Sequence, residues 1–80
     1  MISMTFHLNA QNGGVSISDT NSDPDESAQL DIQSTNKGVL IPRMTSLQRL
    51  AISNAALSLL VFDTDENSFR NLKFPYNWEE

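Results

Sequence analysis

The stretch Lys37–Ile52, KGVLIPRMTSLQRLAI, sets four local signals end to end. Lys37-Gly38 is a turn, because glycine takes positive φ at no steric cost. Val39-Leu40-Ile41 is apolar, rich in β-branched residues and too short for a helix, which predicts a buried strand. Pro42 has no N–H for a sheet ladder, so it stops that strand or confines it to an edge. Thr45-Ser46-Leu47-Gln48 then has the form of a capping box, with the Thr45 hydroxyl accepting from the Gln48 amide and the Gln48 side chain reaching back to the Thr45 N–H. The helix it opens carries Leu47, Leu50 and Ala51 at the spacing of one buried stripe. It is expected to run about two turns, end by Asn54 and lean on the strands, because so short a helix is not stable alone.

Upstream, Met1–Leu8 (MISMTFHL) alternates loosely and reads as a strand with Met4, Phe6 and Leu8 on one side. Asn12-Gly13 is a hairpin signal. Val15-Ser16-Ile17-Ser18 alternates with period two, one face apolar and the other small enough for close approach of another backbone. Asp19–Ser27, with Pro24 inside it, is a loop by composition. Gln29–Gln33 (QLDIQ) is a further short strand. Downstream, Leu57–Phe62 (LSLLVF) reads as a strand buried on both faces, and Asp63–Asn67 as a tight polar turn. Ser68–Trp78 alternates, placing Leu72, Phe74, Tyr76 and Trp78 on one face. The fold class is therefore mainly β, with five or six short strands and one two-turn helix.

With 80 residues the chain is one domain at most. A lone domain of that size buries only about 60% of its unfolded surface. There is no cysteine for a disulfide and no Cys/His set for a structural metal, so oligomerisation is the remaining staple. The expected packing residues, in the core or between copies, are Leu30, Ile32, Val39, Ile41, Leu47, Leu50, Leu59, Val61, Phe74 and Trp78. They barely offset the entropy of ordering one chain, and strand edges would remain open. A net charge of −5 argues against nucleic acid. The charge is uneven: no Lys or Arg occurs before Lys37, whereas Asp19, Asp23, Asp25, Glu26 and Asp31 do. That asymmetry serves solubility or contact between copies. Met1–Ala10 has no basic start followed by a long apolar core, so this stretch is not expected to be a secretion signal, and no apolar stretch approaches the roughly 20 residues that cross a bilayer.

Little in the chain points to chemistry. Asp63-Thr64-Asp65-Glu66-Asn67 and Asp19-Thr20-Asn21-Ser22-Asp23 open like calcium loops. However, Ser68 or Pro24 replaces the required Gly, and Phe74 or Leu30 the closing Glu, so solvated turns and no metal site are expected. His7 is the single histidine, has no acid nearby in sequence, and reads as a surface or interface residue. No carboxylate sits in an apolar context that would raise its pKa, and an enzyme is not expected; nor is a cofactor. Arg43, at the strand-to-helix corner, is expected to act as a structural bridge to carbonyls or to a carboxylate such as Asp31, of the same or a neighbouring copy. Phe74, Tyr76 and Trp78 read first as packing residues. Tyr76 and Trp78 are also the candidates for stacking on a sugar.

The segment Ser27–Ile52, SAQLDIQSTNKGVLIPRMTSLQRLAI, resembles one recurrent in bacteriophage tail-fibre proteins and in fibre-like surface proteins of Bacteroidetes. The matching positions are Gly14-Val15-Ser16-Ile17, Pro24, Ser27-Ala28, Leu30-Asp31-Ile32, Lys37-Gly38, Pro42-Arg43-Met44-Thr45, Gln48-Arg49, Ala51-Ile52 and Trp78, the last closing an aromatic hairpin. Ser16, Ser18 and Ser58 stand where the pattern usually has glycine. The resemblance implies a homotrimeric fibre module of a tail or head fibre, on the extracellular face of a virion, with other virion or fibre proteins as partners; a host surface glycan is a further candidate partner, through Tyr76 and Trp78. Three copies come from the resemblance; composition alone does not choose three over two. Residues 1–13 fall outside it and are the expected docking arm, and residues 14–80 the fibre module. The alternatives are a carbohydrate-binding receptor tip and a bacterial surface adhesin fragment.

Overall fold

Alternating side chains and abundant turn residues give short strands. The computed structural model, which describes residues 7–11 and 13–80, is accordingly mainly β with one short helix. The reading of residues 1–6 as strand, the side chains of His7 and Leu8, and Asn12 of the hairpin signal lie outside the described residues. The chain divides into two units, one through Gly38 and the other Val39–Glu80.

In the first unit, β1 (His7–Gln11), β2 (Gly14–Ser18) and β3 (Leu30–Gln33) form one sheet in that order. β1 and β2 are antiparallel, with Gln11 opposite Gly14, and the turn between them places Gly13 at φ +79, which glycine adopts freely. β3 is parallel to β2, so the chain must cross from one end of the sheet to the other, and the loop after Ser18 does so. Several hydrogen bonds hold that loop. The Ser22 N–H donates to Ser18 Oγ (3.1 Å), the Asp25 N–H to Asp31 Oδ2 (2.8 Å), and the Ser27 N–H to Asp25 Oδ1 (2.9 Å). The Val15 N–H donates to the Gln29 carbonyl (2.8 Å).

The second unit contains β4 (Arg43–Met44), α1 (Ser46–Leu50), β5 (Leu60–Asp63), β6 (Ser68–Lys73) and β7 (Asn77–Glu79). The sheet order is β4-β5-β6-β7, with β4 parallel to β5 and the other pairs antiparallel. α1 lies in the crossover between the two parallel strands. Its capping box is formed: the Gln48 N–H donates to Thr45 Oγ1 (3.2 Å) and the Thr45 N–H to Gln48 Oε1 (2.9 Å). The helix has five residues, shorter than the expected two turns.

Three expectations are corrected. Val39–Ile41 is not a strand. Pairing with β5 starts at Pro42, which can only accept, and its carbonyl takes the Phe62 N–H at 3.0 Å. The Leu57–Phe62 strand begins only at Leu60, because Ser58 at φ 77 turns the chain out of the extended conformation, and Leu57 and Leu60 are exposed. Ser68–Trp78 does not run as one alternating strand but forms the closing hairpin that the resemblance implies: Phe74-Pro75-Tyr76 turns the chain, Tyr76 at φ 88 donates its N–H to the Lys73 carbonyl (2.6 Å), and Leu72 faces Trp78 across the strands. Leu72 and Trp78 thus share a face, whereas Phe74 and Tyr76 sit exposed on the turn.

The helix stripe is also reversed. Arg49 is the buried residue of α1, while Leu47 (79% exposed) and Leu50 point away from the chain. Of the expected packing residues, Val61 is buried, and Ile41, Leu59 and Trp78 are half-buried. Leu30, Ile32, Val39, Leu47, Leu50 and Phe74 are exposed. They are therefore not core residues of the single chain.

Candidate functional site

The second unit is organised around a carboxylate. Asp63 ends β5, has no exposed surface, and receives four donors. Ser46 Oγ (2.7 Å) and Arg49 Nε (2.9 Å) donate to Oδ2, and the N–H groups of Asp65 (2.9 Å) and Glu66 (3.0 Å) donate to Oδ1. Burial opposes ionisation of this carboxyl. The Ser46 hydroxyl, the Glu66 amide, the Arg49 guanidinium and the Asp65 amide outweigh it and hold the pKa well below the usual carboxylate range.

The rest of the turn extends the cluster. Asp65 Oδ2 accepts the Ser46 N–H (3.0 Å), and Glu66 Oε1 lies between Arg49 (3.3 Å) and Arg70 (3.0 Å). The Arg49 guanidinium carbon also sits 5.4 Å from the centre of the Trp78 ring, a cation–π contact. The acidic run Asp63–Asn67, expected to be a solvated turn, therefore fastens α1 to the sheet. Among the described residues no group of His, Cys, Asp and Glu is arranged to hold a metal.

The opposite face of this sheet carries an open apolar patch on β5 and β6. Phe62 and Phe69, paired across β5 and β6, meet edge to face at 5.1 Å between ring centres. With Val39, Leu40, Ile41 and Arg43 they line a groove of about 170 Å³. In the first unit, register sets Val15 opposite Leu30 and Ile17 opposite Ile32 on one face. The other face has Ser16 opposite Asp31 and Ser18 opposite Gln33. Ser16 and Ser18 are buried, whereas Leu30 (57%) and Ile32 (40%) are exposed.

The expected bridge residues each have a local partner. Arg43 Nη1 donates to the Ile41 carbonyl at 2.9 Å, and Asp31 Oδ2 accepts from the Asp25 N–H and from Gln33 Nε2 (3.1 Å). Of the two residues considered for a sugar, Trp78 is engaged by Arg49 and Tyr76 is exposed on the hairpin turn. Arg49 and Asp63 were missed by sequence reasoning. The available signal was the buried β5 strand ending on an acid, with a helical arginine to reach it.

No curated protein and no solved structure matches this chain. One family does, over residues 14–80: the phage tail like trimerisation region. That span takes in both sheets from β2 onward and the whole Asp63 cluster, and the chain belongs to this family of phage tail like trimerisation regions.

Proposed function

We propose that the protein is a structural virion component: a homotrimeric module of a phage tail or head fibre that builds a rigid spike or joint on a larger particle. The observation that carries this reading is where the apolar side chains lie. Among the described residues Val61 and Leu72 are the buried large apolar ones, while eleven others are exposed. An interior of two such side chains does not offset the entropy of ordering the chain. Three copies that bury those faces together supply the missing interior, in keeping with a trimerisation region.

The role is mechanical. The Asp63 carboxylate is saturated by four donors and offers no free acid or base. Residues 1–13 precede the family match and are the candidate docking segment for other virion or fibre proteins. Sedimentation equilibrium tests the reading: at micromolar concentration and neutral pH the mass should be three times that of one copy. A single-copy mass throughout the accessible range would refute it.

A further inference from the structure

We propose that the apolar face that β2 and β3 present through Val15, Ile17, Leu30 and Ile32 is covered by two further copies of this chain, the three sheets turning this face to a shared axis. This rests on the homotrimer reading and specifies its surface. A sheet with one solvated face normally buries its apolar side and wets its polar side. Here the arrangement is inverted. Ser16 is fully buried, although its hydroxyl has no hydrogen-bond partner among the described residues, while Leu30 and Ile32 on the reverse side are exposed. The polar side is occupied by the crossover loop, where Pro24 is buried. The loop is fastened through Ser18 and Asp31, both on the Ser16 side by register. Anchored there, it is not available to cover the apolar side.

Two observations identify the occupant. The strands that carry the face lie within the residues matched as a trimerisation region, so a second copy is the partner this part of the chain is expected to meet. The face also ends in a groove of about 160 Å³ lined by Ile17 and Ile32, with Asp19 and Lys37 on its walls. An acid and a base beside an apolar floor let the acid of one copy meet the base of the next at the edge of a dry centre. In a closed threefold ring every copy turns the same face to the axis and neighbours meet head to tail, one rim of the face against the opposite rim of the next.

Because the chain has no cysteine, one introduced thiol reports one place. Ile32→Cys and Leu30→Cys are compared with Glu26→Cys, a thiol on the exposed crossover loop, by maleimide labelling of the full chain without denaturant. Where the unsubstituted chain sediments as three copies, the thiols at 30 and 32 should react at least roughly 10-fold more slowly than the one at 26, and speed up as dilution separates the copies. Loss of assembly in both face variants with circular dichroism unchanged would also support the proposal. Equal labelling rates within a three-copy species would overturn the face while leaving the homotrimer reading intact. Slow labelling in a species that sediments as one copy would overturn the occupant. If the unsubstituted chain itself is a single copy, both readings fall.

Discussion

At the scale of single residues, Asp63 holds the second unit together, and its environment predicts how it responds to acid. The carboxyl is held low by its four donors when folded. Its contribution is therefore complete above the ordinary value of 3.8 and disappears as pH falls below it. Asp63→Asn removes the charge and leaves Arg49 buried with, among the described residues, the partly exposed Glu66 as its remaining counter-ion. The variant should melt roughly 10 °C lower or more at pH 7, in line with breaking a buried pair in a small domain. Thermal melts from pH 7 down to strong acid check this. The unsubstituted protein should lose stability steeply below about pH 4 and the variant less steeply. Some slope will remain in both, since Asp25, held low by the Ser27 hydroxyl and amide, has the same sign. Identical slopes would remove Asp63 from this role. Ser58 belongs to the same scale. It stands where the resembling segments usually carry glycine, and its φ of 77 is a conformation that glycine takes more readily.

Among the elements, α1 separates what local sequence determines from what it does not. The capping box was legible because both partners lie within one turn of each other, and Thr45 and Gln48 satisfy each other wherever the helix docks. Thr45→Ala should cost about 1 kcal/mol, read as a lower urea midpoint with an unchanged slope. Which face of α1 turns inward was not legible. Leu47, Leu50 and Ala51 have the spacing of a buried stripe. However, Arg49 is drawn in by a carboxylate 14 residues away, and no local pattern encodes that pairing. The same division explains the strands. Val39–Ile41 has strand composition, but β structure needs a neighbour, and the ladder with β5 starts only at Pro42. The β2 alternation was legible, yet which side faces outward depended on where the loop after Ser18 is fastened.

At the scale of the whole molecule, both sheets enclose polar or charged groups and leave large apolar side chains exposed on the reverse face. Each face covered on assembly contributes about 1.5–3 kcal/mol per large apolar side chain, so mass action should appear in the melting curve. The melting temperature is expected to climb by a few degrees for each roughly 10-fold rise in chain concentration. Differential scanning fluorimetry over a dilution series checks this, and a constant value would speak against assembly. The single tryptophan has a consequence of its own. Its indole rests on the Arg49 guanidinium, at the heart of the Val39–Glu80 unit. The chain's intrinsic emission colour is therefore a gauge of one half alone, so spectroscopists can watch that half loosen while the other stays optically silent.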